Sequence, residues 1–297
     1  MESFTKTTHT DTYPAIQTAS HNGHSVLITG ASRGIGLATA ISFATAGASQ
    51  IAIAARSNLD ATESAILSAA QAANKTAPRI LKLTFDVTDE SSVVDAVAHL
   101  ADAFDGKLDV LVNNAGYIEE WQRVAVTDPV AWWRSWEINL KGVYLLTRAC
   151  LPLLAASASA SASTSDGVST GTVVNVSSIG AHMTAPGASG YQTAKFALLR
   201  FTEFVQAEYG DGEDGVVAIA VHPGGVATEL GLTMPEAMHG FLVDTPQLAG
   251  DTLAWLTAEK RDWLGGRYVS VNWDMDELES RKGEVVEGDK LKMRMVY

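Results

Sequence analysis

The 297-residue chain reads as a doubly wound α/β domain, with about seven parallel strands covered by helices on both faces. Three observations predict this. From Ser25 onward, short apolar runs alternate with longer helical segments, the pattern of a parallel sheet buried on both sides. A glycine-rich turn, Thr29-Gly30-Ala31-Ser32-Arg33-Gly34-Ile35-Gly36, joins the first of these runs to a helix-compatible stretch. Apolar residues make up 46% of the chain, enough to fill the core of one large domain.

The elements follow in order. Residues 1–24, rich in Thr, Ser and His and containing Pro14, show no periodicity and read as an N-terminal arm that Tyr13 and Ile16 pin to the body. Strands are expected over 25–29, 50–54, 80–85, 110–113, 172–177, 216–221 and 268–271, each a short apolar run. Helices are expected between them, over 35–46, 60–74, 89–104, 128–154, 191–209 and 246–256. Thr245 followed by Pro246 supplies an N-cap and a first helical position for the last of these. Residues 155–171 are almost all Ala, Ser, Thr and Gly, have little surface worth burying, and read as a flexible surface insertion with a frayed helical beginning. Residues 272–297 form a charged tail with a short helix over 274–282.

Composition narrows the function. A formal charge of −13, from 21 basic and 34 acidic residues, argues against a nucleic-acid surface. The single cysteine, Cys150, leaves no intrachain disulfide and fits a reducing compartment. No long apolar run suggests a membrane span, and the polar N-terminus lacks a signal-peptide core, so a cytoplasmic protein is expected. His21 and His24 lack further ligands, so no metal is assigned. Trp132, Trp133 and Trp136 crowd one helix and read as core or subunit-interface anchors.

Two patterns carry chemistry. In the glycine turn, Gly30, Gly34 and Gly36 let backbone N–H groups and a helix N-terminus approach a pyrophosphate closely. In Gly-Tyr-Gln-Thr-Ala-Lys, Tyr191 and Lys195 stand four residues apart and share a helix face, so an ammonium sits near a phenol and favours its ionised form. Ser178 lies thirteen residues upstream of Tyr191.

With these residues in view, the chain resembles the short-chain dehydrogenase/reductase family over about residues 25–271. The glycine turn matches the family's cofactor motif, Asn113-Asn114-Ala115-Gly116 its second signature, and Pro223-Gly224 the turn after its sixth strand. The resemblance implies a Rossmann-fold catalytic domain over 25–297 and a catalytic set of Asn139, Ser178, Tyr191 and Lys195. It further implies cofactor contacts from Gly30, Ser32, Arg33, Gly34, Ile35, Gly36, Asp86, Val87, Asn113, Ala115, Gly116, Pro223, Gly224, Val226 and Thr228, with Tyr191 and Lys195. Residues 229–244 would form a substrate lid with Leu230, Leu232, Met234, Met238 and Phe241 as apolar lining. Tyr117, Trp121, His182 and Met183, with Ser178, complete the expected substrate side, which suits a bulky apolar small molecule. A homodimer or homotetramer is expected by the same resemblance.

The second expected strand ends at Ala55 and Arg56, where NAD users place a carboxylate for the ribose hydroxyls. Arg56 and Arg33 can grip a 2′-phosphate, which favours NADP, with NAD as the alternative. Hydride transfer between a nicotinamide and a carbonyl or secondary alcohol is the expected reaction. Two other readings share the motifs: an NADP-dependent epimerase or dehydratase, and an NADP-binding sensor without catalysis.

Overall fold

The computed structural model describes residues 3–162, 171–212 and 214–295. Its centre is β1 (Ser25–Thr29), buried at every position because helices cover both faces of the sheet. The remaining strands are β2 (Gln50–Ala55), β3 (Arg79–Thr84), β4 (Val110–Asn113), β5 (Thr172–Val176), β6 (Val217–His222) and β7 (Tyr268–Ser270). They form one sheet in the order β3-β2-β1-β4-β5-β6-β7, and every neighbouring pair is parallel. All seven expected strands are present, with ends displaced by one residue at most.

The helices are α1 (Gly34–Thr45), α2 (Asp60–Ala72), α3 (Glu90–Ala103), α4 (Pro129–Trp136), α5 (Val143–Ala162), α6 (Ser189–Tyr209) and α7 (Pro246–Ala258). Several start on side-chain caps that satisfy otherwise unpaired N–H groups. Asp89 accepts from Ser92 N, Asp128 from Val130 N and Thr245 from Leu248 N, with Pro129 and Pro246 opening their first turns. Successive strand residues point to opposite faces: Val26 and Ile28 join a core with Phe43, Ile66 and Leu253, whereas Leu27 joins one with Leu100, Leu146 and Val205. Thus α1, α2 and α7 cover one face, and α3, α5 and α6 cover the other.

Between α4 and α5 the chain does not break; Glu137–Gly142 forms a π-helical turn. The stretch 155–171 begins as helix, as expected, but this beginning is packed rather than frayed. Its first part continues α5 to Ala162, and Ser157 is 1% exposed with its Oγ accepting from Leu108 N at 3.0 Å. Small residues allow this close packing. Residues 163–170 of that stretch lie outside the described residues. The resulting helical run Pro129–Ser159 is long and apolar enough to cross a bilayer by length and composition, which the sequence reading did not expect. Half of its most apolar window is buried inside the protein.

The two ends of the chain hold each other. Ile16, in a 3₁₀ turn at Pro14–Thr18, is 1% exposed, and the Tyr13 hydroxyl accepts from Met275 N at 2.8 Å. Thr8 pairs with Trp273 in an antiparallel bridge, and His9 Nε2 lies 2.9 Å from Asp274 Oδ2. The tail itself carries α8 (Met275–Ser280) and α9 (Lys282–Glu287), which bury Met275, Leu278 and Val285 in the core beneath.

Candidate active site

The strand order reverses at β1 and β4, so the chain diverges there and leaves a crevice at the carboxyl ends of the strands. The glycine turn enters that crevice. Gly30 and Gly34 have φ of +64° and +56°, the left-handed region that a side chain disfavours. A Cβ on Gly36 would lie 2.3 Å from the Gly30 carbonyl oxygen, so any larger residue would force the turn open. Asn114 braces the turn: its Nδ2 donates to the Thr29 carbonyl at 2.8 Å and to the Gly30 carbonyl at 3.3 Å. Helix α1 then begins with no side-chain cap, so its first N–H groups are available to an anion. This cradle, small enough for a pyrophosphate to meet backbone, fits a dinucleotide.

Around the cradle stand Ser32, Ile35 and Ala115, with Ala115 N donating to Thr29 Oγ1 at 3.1 Å. Thr228 reaches it from beyond β6: its Cγ2 would lie 2.9 Å from a Cβ on Gly34. Pro223 and Gly224 follow β6, and Gly225 N donates to Asp244 Oδ2 at 2.6 Å, while Val226 bridges Asp244. The far end of 229–244 is therefore tied to the turn after β6.

Arg56 leaves the end of β2 with its Nη1 3.6 Å from Asp86 Oδ2, and Arg134 Nη2 lies 3.1 Å from that oxygen. Partial burial raises the Asp86 carboxyl, but hydrogen bonds from Thr88 and Arg134 outweigh this and hold it below its usual range. Arg33 Nε pairs with Glu229 Oε2 at 3.2 Å. Both arginines have side chains 68% exposed, so these pairs are weak and leave the guanidinium groups accessible. Val87 packs where a Cβ on Gly142 would stand, 2.7 Å from its Cγ2, which seats the π-helical turn against the end of β3.

Asn113 supports the central sheet, as one part of its expected role. It is 3% exposed, and its Nδ2 donates to Thr147 Oγ1 at 3.0 Å and Asn175 Oδ1 at 2.9 Å. Asn175 Nδ2 in turn donates to Thr202 Oγ1 at 3.0 Å. The side chain thus ties β4 and β5 to α5 and α6, and the strand's alternation turns it away from the cradle that its neighbour Asn114 braces.

Of the expected catalytic set, Ser178, Tyr191 and Lys195 come together on α6 and the β5 turn, and Asn139 stands on the π-helical turn. The Ser178 side chain, whose Oγ accepts from Gly180 N at 3.0 Å, neighbours the Tyr191 phenol. Burial raises the phenol above its ordinary value; the Ser178 hydroxyl lowers it and the charge of Glu119 raises it. Lys195 is 3% exposed, with Nζ 5.7 Å from the Tyr191 ring centroid and donating to the Val176 carbonyl at 2.7 Å. Burial pulls its amine down to about 7. Asn139 is fully buried; its Nδ2 donates to the carbonyls of Tyr117 at 2.7 Å and Ser135 at 2.9 Å, and its Oδ1 accepts from Tyr117 N at 3.3 Å. Gly116 leaves room for that carboxamide, since a Cβ there would stand 3.3 Å from Oδ1.

The expected substrate side is only partly assembled. Tyr117 and Trp121 are partly buried on the loop after β4, with Trp121 backed against Gly187. Met183 is 44% exposed beside the 3₁₀ turn that Ser178 caps. His182 turns to the tail: its ring packs edge-on against Tyr268 and its Nδ1 lies 3.1 Å from Met293 Sδ. Met234 is half-buried, but Phe241 is 68% exposed. Leu230 leans closest to the site, 3.6 Å from where a Cβ on Gly116 would be. The stretch 229–244 expected as a lid holds two short 3₁₀ turns, so no helical periodicity selects its inward residues.

Sequence reasoning missed Glu119 and Arg134. Glu119 is 3% exposed and accepts from Tyr191 N at 2.9 Å. It sits in Ile118-Glu119-Glu120, where nothing distinguishes a buried carboxylate from a solvated one. Arg134 lies 48 residues from Asp86, and only the folded chain brings the two together.

This architecture, a doubly wound parallel sheet with a glycine cradle at its switch point and a Ser-Tyr-Lys cluster beside it, defines a class of dinucleotide-dependent enzymes. The family described as short chain dehydrogenase matches residues 24–238, and the chain belongs to that family of oxidoreductases. It is 53% identical to the short chain dehydrogenase citE of Monascus ruber, covering 97% of this chain and 95% of the relative. It is 42% identical to the short chain dehydrogenase andI of Emericella variicolor, over 98% of this chain and 96% of that one. Among solved structures, a 3-ketoacyl-(acyl-carrier-protein) reductase from Brucella melitensis complexed with NADH superposes with a TM-score of 0.71 at 26% identity, covering 85% of this chain and 98% of that one.

Proposed function

We propose that this chain is an NADP-dependent reductase of the carbonyl group of a bulky, apolar small molecule, or the corresponding alcohol dehydrogenase. The observation that carries the reading is the Tyr191 phenol with Ser178 neighbouring it and the buried Lys195 amine 5.7 Å from its ring. A reduced nicotinamide, when bound, supplies the hydride. In our reading Ser178 and Tyr191 hold the substrate oxygen, and Tyr191 gives up its proton to that oxygen. A raised phenol suits this direction, because it remains protonated near neutrality. The ammonium form of Lys195 would stabilise the phenolate left behind, and Asn139, held by Tyr117, would order the route by which the proton is replaced.

Ala55 and Arg56 support the choice of NADP. No carboxylate ends β2 to repel a 2′-phosphate, and Arg56 is exposed beside the crevice. The Brucella relative was solved with NADH, and a reductase A1-R′ at 25% identity and TM-score 0.69 was solved with NAD. Those complexes support a nicotinamide cofactor here, and Arg56 supports the 2′-phosphorylated form. Ser32, Ile35, Ala115, Gly116, Val87, Pro223, Gly224, Val226 and Thr228 would line the cofactor path.

We also infer a cytosolic homodimer or homotetramer. Tyr144, Phe196 and Phe204 on α5 and α6 are 46%, 46% and 56% exposed, an apolar face suited to a second copy. Oxidation of NADPH by the wild type across ketones, aldehydes and quinones, set against Tyr191→Phe, tests the activity. We expect turnover to fall at least ~1000-fold in the variant while nucleotide binding persists. Equal turnover in both proteins would rule the assignment out.

A further inference from the structure

Helix α6 starts without a side-chain cap of its own: Ala188 at its N-cap has no polar side chain. Its third N–H, that of Tyr191, is instead satisfied by Glu119 from the loop after β4, at 2.9 Å. The other carboxylate oxygen of Glu119 accepts from Ser135 Oγ on α4. Both oxygens accept hydrogen bonds, as an ionised carboxylate does, and the positive end of α6 favours that charge. Gly190 makes the approach possible, since a Cβ there would stand 2.8 Å from Glu119 Oε1. Trp132 adds a second tie between α4 and α6, donating from Nε1 to Ser189 Oγ at 3.0 Å.

Ser135 is the junction. Its hydroxyl binds Glu119, and its carbonyl accepts from Asn139 Nδ2 at 2.9 Å. The chain Asn139–Ser135–Glu119–Tyr191 therefore links two candidate catalytic positions that are otherwise on separate helices. We propose that Glu119 is a positioning residue for the reaction: it caps the helix carrying Tyr191, ties that helix through Ser135 to the turn carrying Asn139, and holds a fixed negative charge beside the phenol. The inference rests on the reading of Tyr191 as the proton donor given above.

The charge has a direction. The ionisable groups around Tyr191 are Glu119, on its backbone N–H, and Lys195, from one turn further along α6, whose burial leaves its amine only partly protonated near neutrality; the β5 turn presents the neutral Ser178 hydroxyl. Lys195 favours phenolate and Glu119 opposes it, so Glu119 keeps the phenol protonated for donation to a carbonyl oxygen.

Glu119→Gln separates charge from position, because an amide can still accept from Tyr191 N and meet Ser135 Oγ. We would follow the titration of Tyr191 by ¹³Cζ-tyrosine NMR of the nucleotide-free protein, assigned with Tyr191→Phe. The expected result is a titration displaced to lower pH by about half a unit to one unit in Glu119→Gln. The basic limb of the carbonyl-reduction profile should move the same way. Glu119→Ala should lower kcat at least ~10-fold with little change in the KM for NADPH, and Glu119→Gln should restore most of it. An unmoved Tyr191 titration in a folded Glu119→Gln protein would overturn the proposal. The titration needs no substrate, so failure of the wild type to reduce any carbonyl would remove the functional reading without deciding the role of Glu119.

Discussion

Asn139 clasps Tyr117 from both sides, donating from Nδ2 to its carbonyl at 2.7 Å and accepting its N–H on Oδ1 at 3.3 Å. The clasp depends on the π-helical turn Glu137–Gly142, which interrupts regular α geometry and directs Asn139 toward the loop after β4. It couples α4 and α5 to the loop that carries Gly116, Tyr117 and Glu119.

Replacing Asn139 by Ala leaves the N–H and carbonyl of Tyr117 without their protein partner inside a buried site. We expect a loss of roughly 1–3 kcal/mol, seen as a Tm several degrees lower, and a reduced kcat. Unchanged melting and unchanged kcat would show that the clasp is incidental.

Arg56 is the test of cofactor choice. Arg56→Ala should weaken NADPH binding roughly 10–100-fold, the effect of one or two lost charge-assisted hydrogen bonds, and leave NADH nearly unaffected. Titration calorimetry with both nucleotides reads this directly. If the wild type binds NADH as tightly as NADPH, the assignment to NADP fails.

Gly36→Ala puts a methyl group 2.3 Å from the Gly30 carbonyl oxygen, a backbone atom that cannot swing aside. The turn must open, so nucleotide affinity should fall on the order of a hundredfold. Fluorescence titration against either nucleotide reads the loss, and retained affinity would show that the cradle is more yielding than its packing indicates.

The junction of arm and tail has a pH signature. Partial burial raises the Asp274 carboxyl, but hydrogen bonds from His9 and the Glu277 N–H outweigh it, so the folded value lies below the unfolded one. Its stabilisation is therefore present above the unfolded pKa, about 4, and is lost as pH falls through the folded value. Asp274→Asn should lower Tm by about 2 °C near pH 7, consistent with loss of ~1 kcal/mol from an N-cap and its partner. The gap to wild type should close as the pH is taken below 4; a gap constant from pH 7 to 3 would contradict this account.

The alternation of short apolar runs with helical segments, and the glycine turn after the first run, carried the architecture without any structural help. Strand and helix periods are local, and a turn that only glycine can make leaves its mark in three residues, Gly30, Gly34 and Gly36. Tyr191 and Lys195 were legible for the same reason, since helical spacing alone puts them on one face. Tertiary structure decided where side chains outside such patterns point. It turned Asn113 into the sheet and left Asn114 at the cradle, directed His182 to Tyr268 and Met293, and chose Leu230 over Phe241 as the lid residue nearest Gly116. It also joined Glu119 to Tyr191, 72 positions apart, and the arm at His9 to the tail at Asp274. These contacts depend on how layers of helix and sheet meet, which no local period encodes.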